Sequence, residues 1–239
     1  MKNSLYLCTQ KPMHNAKVRL KKNGNMEKIF ALVENNNVMN YSFNPVDGYS
    51  EIVLTDSQKS EIQSILDSFE NGMKAIRERR EYRMKNYYDC VDDYSFGGIC
   101  DQADNQLQNE FEITRNIRIQ EVLNGGFYVR KSVFYRLSDE NGNSTTGTHS
   151  GRYGDFFVIN DKCVSVPKKV ATLEKKGYTL EKIERTYKCT YKGFSNKGNV
   201  MCQTMEIVGE TITKVTEMPD YIGNLSYIDW QYETYFNEN

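Results

Sequence analysis

The chain has 239 residues, and its 31 basic and 32 acidic side chains give a net charge of −1 and a pI near 6.2. A near-neutral molecule has no overall field that attracts a polyanion, so any affinity for nucleic acid must come from a local patch. At this length the chain can bury one large core or two small ones without disulfides or a structural metal. Its mean hydropathy of −0.69, with 38% hydrophobic and 26% charged residues, is typical of a globular protein and excludes a disordered tail.

Targeting signals and cysteine usage predict the compartment. The first apolar run is too short for a signal-peptide core, and no run reaches the roughly 18 residues that a spanning helix needs. The six cysteines lack the Cys-x-x-Cys spacing of zinc ribbons: Cys8, Cys90, Cys100, Cys163, Cys189 and Cys202. We therefore expect a cytoplasmic protein with reduced thiols and no membrane partner. The bias towards Asn, Lys, Ile and Tyr suggests an AT-rich gene, as in a phage or mobile element of a low-GC bacterium.

The N-terminal region predicts an antiparallel meander. Short alternating segments at Lys17–Lys22, Glu27–Glu34 and Val38–Phe43 are separated by Asn- and Gly-containing turns, in which positive φ angles are tolerated. A short strand over Glu51–Leu54 follows. Thr55 or Asp56 can then cap a helix through its side-chain oxygen.

A long amphipathic helix is predicted over about 56–88. In its first half, apolar residues recur at helical spacing: Ile62, Ile65, Leu66, Phe69, Met73 and Ile76. In its second half the apolar stripe gives way to basic and tyrosine residues, which predict a partner-binding surface made of Lys74, Arg77, Arg79, Arg80, Tyr82, Arg83, Lys85, Tyr87 and Tyr88. The alternative is a solvated face, on which Glu78 and Glu81 pair with the neighbouring arginines.

The stretch after this helix is harder to assign. The acidic segment Asp89–Asp104 lacks the spacing of a calcium loop and predicts a solvated connector, with a domain boundary that divides 1–95 from 96–239, unless the chain is one compact domain. Residues 101–126 fit both helical and strand periods. Asn124 and Gly125 favour a helix that is followed by a hairpin strand entering from Ile113 or Ile117.

The remaining chain predicts a β-rich region with one short helix. Hairpin strands are expected at Asp155–Ile159 and Lys162–Val166, and a short helix should start at Pro167 and end at Gly177. Later strands at 178–191, 200–208 and 211–217 should be joined by glycine-containing turns. The turn between the first two of these would place Cys189 opposite Cys202, as a packed thiol pair in a reducing compartment.

The segment 138–155 joins two predicted strands and is too long for a simple hairpin. Long loops in compact domains are often functional, and this one predicts a ligand loop with hydroxyls, a titratable imidazole and an arginine: Ser144, Thr145, Thr146, Thr148, His149 and Arg152. The alternative is a mobile, solvated polar loop.

Known catalytic patterns are missing from the sequence. The glycines of the loop lack the order of a phosphate-binding or dinucleotide motif, and His14 and His149 lie in no metal-binding spacing. The sequence thus predicts no cofactor and no metal site.

Together, these patterns predict a mixed α+β, antiparallel β-rich fold with one long helix and one or two shorter helices. The expected function is non-enzymatic: a macromolecule-binding accessory protein that acts as a stoichiometric inhibitor or modulator of a host protein or nucleoprotein complex. The alternative is a small enzyme that acts on a phosphate-containing substrate, such as a nucleotide or nucleic acid, through the 138–155 loop.

Overall fold

The computed structural model describes residues 27–86 and 96–237. Its helices are α1 (Asp56–Asn86), α2 (Phe96–Asn124), α3 (Ala171–Glu174) and α4 (Tyr227–Gln231), and α4 continues into one π-helical turn at Tyr232–Phe236. Its strands are β1 (Lys28–Glu34), β2 (Asn37–Ser42), β3 (Ser50–Val53), β4 (Tyr128–Asp139), β5 (Ser144–Thr146), β6 (His149–Gly151), β7 (Gly154–Ile159), β8 (Lys162–Ser165), β9 (Tyr178–Phe194) and β10 (Val200–Lys214). The predicted α+β fold with antiparallel sheets is confirmed.

The first sheet has three strands in the order β2-β1-β3, all antiparallel. Asn35 and Asn36 have φ angles of 49° and 62°, so the predicted asparagine turn joins β1 to β2. The predicted strand Lys17–Lys22 and the histidine His14 lie outside the described residues. One face of this sheet buries Ile29, Ala31 and other apolar residues against the start of α1 and the end of α2.

Helix α1 begins at a reciprocal cap. The Thr55 hydroxyl accepts a hydrogen bond from the Gln58 amide at 3.2 Å, and the Gln58 side-chain oxygen accepts one from the Thr55 amide at 3.1 Å. This capping box satisfies two amides that the helix itself cannot pair. The helix runs for 31 residues and packs antiparallel against α2. The two helices approach closely at Gly72, where an added Cβ would lie 2.7 Å from the Phe111 ring.

Helix α2 corrects one expectation. It continues through Asn124 over 29 residues, so the strand predicted to enter from Ile113 or Ile117 is wrong. The stretch is hard to assign because two sides of helix α2 are buried, each against a different core. Ile113 and Ile117 pack into the core of the large sheet, whereas Ile119 and Val122 pack on the N-terminal sheet. Because the helix has two apolar faces, the spacing of its apolar residues fits both a helical and a strand period.

The large sheet has the strand order β10-β9-β4-β5. Strands β9 and β10 form one long hairpin, and β10 continues through Gly209, where the ladder shifts register. The predicted turn between separate strands at 200–208 and 211–217 is therefore wrong, because the glycine occupies a β-bulge.

The segment 138–155 is not a structureless loop. It forms β5, which pairs with β4, and β6, which pairs with β7. The hairpin of β7 and β8 turns at Asn160 and Asp161, both at positive φ, as predicted. The short helix predicted from Pro167 is only four residues long: α3 begins at Ala171, because the first helical hydrogen bonds are accepted by the carbonyls of Lys169 and Val170, so the predicted start is wrong. Gly177 has a φ of +80° after α3, in agreement with the predicted end. A third core lies here, around Leu137, Phe157 and other apolar residues.

The C-terminal helix is anchored to the large sheet by a buried carboxylate. Asp229 is fully buried and accepts hydrogen bonds from the hydroxyls of Ser132 at 2.6 Å, Tyr187 at 2.8 Å and Ser226 at 2.6 Å. Three hydroxyl donors offset the cost of removing this charge from water. Within the described chain, none of the helices has the length and apolar composition required to cross a membrane.

Candidate functional site

The basic half of α1 lies against α2 and does not project from the fold. The Asp104 carboxylate, only 8% exposed, accepts hydrogen bonds from Arg79 at 2.9 Å and from Arg83 at 2.6 Å. Arg83 also contacts Asp101 at 2.6 Å, and Arg80 donates to Asn105 at 2.7 Å. Asp101 and Asp104, the last acidic residues of the segment predicted as a solvated connector, are therefore ion-pair partners of the predicted basic surface. Residues 89–95 of that segment lie outside the described residues.

These contacts largely neutralise the predicted partner-binding surface. Arg77 pairs with Glu70 at 2.8 Å, and Lys74 lies 3.7 Å from Glu78. Over residues 70–85 of α1 and 101–104 of α2, the six basic residues of this surface are accompanied by five carboxylates, namely Glu70, Glu78, Glu81, Asp101 and Asp104. Tyr82 and Lys85 are exposed, and Tyr87 and Tyr88 lie outside the described residues.

The residues of the predicted ligand loop are divided between two hairpins. Ser144, Thr145 and Thr146 belong to β5, opposite the end of β4. The Thr148 hydroxyl donates to the carbonyl of Ile222 at 2.9 Å. His149 is exposed and stacked on Phe156, with ring centroids 5.7 Å apart. At the tip of the β6–β7 hairpin, the exposed Arg152 lies over the Tyr153 ring.

A different feature, which we call the helix–sheet groove, lies between the helical hairpin and the end of the large sheet. It has a volume of about 1040 Å³. Its walls come from four places: α1 between residues 61 and 69, α2 between residues 111 and 122, the turn at Gly125 and Gly126, and the paired strands β9 and β10. Apolar surface comes from Ile65, Phe69, Phe111 and Val122, and hydroxyl groups come from Ser64, Ser68, Thr114, Thr190 and Thr204.

Two arginines of α2 line this groove, each above an aromatic ring. The Arg115 guanidinium lies 4.4 Å from the Phe69 centroid, and the Arg118 guanidinium lies 5.0 Å from the Tyr191 centroid. Stacking holds a guanidinium plane in place and leaves its edge free to donate hydrogen bonds. Both cations are thus pre-positioned at the wall of the groove.

The two arginines differ in their charge partners. Arg118 pairs with Glu121 at 2.8 Å. Arg115 donates to the side-chain oxygen of Asn116, and it forms no ion pair with any carboxylate in the described part of the chain. Arg115 is therefore the arginine of the groove that has no carboxylate partner among the described residues.

Hydrogen bonds fix the wall on which these side chains stand. The Glu121 carboxylate is buried and accepts from the backbone amide of Tyr191 at 2.8 Å. The hydroxyls of Tyr191 and Thr114 lie 3.0 Å apart. These bonds join α2 to β9 across the base of the groove and hold its wall in place.

Sequence reasoning missed Arg115, Arg118 and Tyr191. The signal available was the i, i+3 spacing of the two arginines within a stretch that fits a helix. It was hidden because the same stretch also fits a strand period. Phe69 appeared only as a member of the apolar stripe of α1.

The prediction that Cys189 lies directly opposite Cys202 is wrong, although the two buried thiols belong to the same core. Bulges around Cys202 place it opposite Tyr191, and Cys189 lies opposite Met205. Cys189 donates a hydrogen bond to Cys202, which raises the pKa of Cys189, and burial raises it further. The Tyr128 hydroxyl lies 3.1 Å from the Cys202 sulfur. Among the described residues, no three His, Cys, Asp or Glu side chains are grouped as a metal site would require.

Comparison with known proteins gives no assignment: no family model matches the chain, and neither does any curated protein or any solved structure.

Proposed function

We propose that this chain is a non-enzymatic binding protein that holds one partner protein, in a one-to-one complex, through the helix–sheet groove. The observation that carries the proposal is Arg115, a cation stacked on Phe69 at the wall of a large, mostly apolar groove and without a carboxylate partner among the described residues. A partner segment with an acidic side chain among apolar residues would complement it.

The size of the groove favours a macromolecular segment over a small molecule. Small-molecule sites have volumes of about 300–1,000 Å³ and enclose most of the ligand. This groove, with about 1040 Å³, lies slightly above that range, and it is open along the surface between two helices and a sheet. A short peptide segment that inserts two or three apolar side chains fits such a space.

The charge of the groove favours protein over nucleic acid. Arg115 and Arg118 are balanced by Glu61 and Glu121, so the lining has no net charge. Proteins that bind single strands use a positively charged groove together with aromatic rings that stack on bases. In this groove Arg115 covers one face of Phe69 and Arg118 covers one face of Tyr191, so these ring faces are not available for stacking on bases.

The wider proposal follows from composition. A protein with an AT-rich coding bias and a preformed partner groove fits an accessory protein of a phage or mobile element that inhibits or modulates a host protein. Stoichiometric binding is the mode of action that such a groove supports.

The experiment is selection from a random displayed peptide library against the full chain and against Arg115→Glu, with Lys168→Glu as the matched control. Lys168 is exposed and does not line the groove. The full chain and the control should enrich the same peptides, with Asp or Glu flanked by apolar residues. Arg115→Glu should lose these peptides by about 10- to 100-fold in affinity, or ~1.4–2.8 kcal/mol.

Calorimetry with one selected peptide, made synthetically, should give a stoichiometry of one. Binding of a dT20 oligonucleotide is measured in parallel at several salt concentrations. If the oligonucleotide binds, with log affinity falling linearly against log salt, and no peptide is enriched, the partner is nucleic acid and the proposal is wrong. Peptides that bind Arg115→Glu as tightly as the full chain would also contradict it.

A further inference from the structure

Strand β10 forms an edge of the large sheet, and no segment of the described chain pairs with its outer side. Its first half is interrupted by three register shifts, but Gly209–Lys214 pairs with β9 without interruption. Every residue of this second half is exposed, including Ile212 with 47% of its surface accessible. A regular, exposed edge with an apolar centre is a template for pairing with another strand.

The hydrogen-bond pattern shows which backbone groups point outward. The amide of Val215 donates to the carbonyl of Leu180 at 2.9 Å, so these two residues form a hydrogen-bonded pair of the β9–β10 ladder. Pairs alternate along an antiparallel ladder, so Glu210, Ile212 and Lys214 occupy the pairs without hydrogen bonds. Their N–H and C=O groups are directed away from β9, toward the free edge.

The side chains of these three residues are complementary to those of a second, antiparallel copy of the same strand. An antiparallel pairing with a two-fold axis at Ile212 sets Ile212 against its own copy and Glu210 against Lys214 of the partner subunit. All three residues then use their outward backbone groups in hydrogen bonds. Opposite charges directly across a strand pair are stabilising, and here the symmetry supplies two such pairs.

We propose that the chain forms a homodimer by antiparallel pairing of β10 with β10 of a second copy, centred on Ile212, which joins the two large sheets into one. The register shift between Ile207 and Gly209 limits the paired segment to about six residues. Within the chain Lys214 pairs with Glu174 at 2.7 Å and Glu210 pairs with Arg185 at 2.5 Å, but the Lys214 side chain remains 59% exposed and that of Glu210 one-third exposed, so both can share their charge with a partner strand. Such a short interface buries less than about 1,200 Å², so the dimer is weak, with a dissociation constant of about 1–100 µM.

Sedimentation velocity of the full chain from about 1 to about 300 µM tests the proposal, because this range spans the expected dissociation constant. The chain should shift from monomer to dimer. Ile212→Pro removes an outward amide and should abolish the dimer while leaving the melting temperature nearly unchanged, because proline is tolerated where an edge N–H faces solvent. Thr211→Pro is the control for the alternation of outward and inward amides along β10. The amide of Thr211 is directed toward β9, so this variant should melt at a much lower temperature.

Charge reversal tests the register. Glu210→Lys places two lysines opposite each other in its own dimer, and Lys214→Glu places two glutamates opposite each other, so each variant alone should be monomeric. Mixed together, they should form a heterodimer, because every cross-strand pair is again Lys against Glu. Circular dichroism checks that both variants are folded.

A parent chain that stays monomeric at 300 µM, or an Ile212→Pro variant that dimerises like the parent, would overturn the proposal. So would folded charge variants that each dimerise alone as well as they do together. Arg115→Glu should dimerise normally, because the edge of β10 and the helix–sheet groove are separate surfaces.

Discussion

Arg83 of α1 and Asp104 of α2 lie 2.6 Å apart, with side chains that are only 14% and 8% exposed. The arginine projects from the basic stretch and the aspartate from the acidic stretch, so the two charge runs of the sequence meet in one helical hairpin. Because a buried carboxylate needs its partners, this contact fixes the pairing of the two helices.

The first prediction concerns this ion pair. Asp104→Ala removes the buried carboxylate that pairs with Arg79, with Arg83 and, at 3.8 Å, with Arg80. It should lower the free energy of unfolding by about 3 kcal/mol, the cost of breaking a buried pair from one side. Arg77→Ala, which removes an exposed pair with Glu70, should change it by less than about 1 kcal/mol. Urea denaturation measures both. Equal effects for the two variants would show that the buried pair does not hold the hairpin.

The second prediction concerns the helix crossing at Gly72. A Cβ at this position would lie 2.7 Å from the Phe111 ring, so Gly72→Ala should destabilise the fold by about 1–3 kcal/mol through overpacking, despite the better helix propensity of alanine. Phe111→Leu should relieve the clash. The loss of stability in the double variant Gly72→Ala/Phe111→Leu should therefore be smaller than the sum of the losses in the two single variants. Strict additivity in thermal melts would contradict the close crossing.

The third prediction separates structure from function in the 138–155 segment. His149 and Arg152 are exposed, so changing both to Ala should leave the free energy of unfolding within about ±0.5 kcal/mol. Gly147→Ala should instead destabilise strongly, because Gly147 has a φ of +70° and an added Cβ would lie 2.6 Å from the Asn224 Cα atom.

The same double variant tests the alternative of a phosphate-directed enzyme. If the segment holds a catalytic site, the parent should hydrolyse a generic phosphodiester or nucleoside triphosphate with turnover, and the variant should not. We expect neither protein to turn over, since the hydroxyls, His149 and Arg152 belong to two different hairpins.

The fourth prediction is a loss of stability at high pH. Burial raises the pKa of Tyr41 to about 12, although Arg115 partly opposes this. Unfolded tyrosine has a pKa of about 10, so the unfolded chain loses this proton first as the pH rises. The contribution of Tyr41 is therefore complete below pH 10 and is lost between about pH 10 and 12.

The matched variants are Tyr41→Phe and Tyr153→Phe, the second of which changes a ring that is 94% exposed. Tyr41→Phe loses the hydrogen bond to Asn116 and should cost about 1 kcal/mol at neutral pH. Its stability should then fall less steeply above pH 10 than that of the parent or of Tyr153→Phe. Parallel curves for all three proteins would contradict the prediction.

Much of the fold could be predicted from local patterns. The turn at Asn35 and Asn36, the cap at Thr55 and the hairpin at Asn160 all depend on residues close together in the sequence, and each is confirmed. The end of α2 could not be predicted, because a helix buried between two cores has apolar residues on two faces. The candidate groove also stayed hidden, since Phe69, Arg115 and Tyr191 come from three separate elements.

The sequence by itself determined the fold class, the long helix from Asp56 and most hairpin turns, because propensity, capping and turn chemistry act over a few residues. Only the tertiary structure decided which charged side chains are paired and which are free. The arginines at 79, 80 and 83 are held by α2, whereas Arg115 faces an open groove. Whether a charge is free or paired depends on contacts between residues far apart in the chain, and a local pattern contains no information about them.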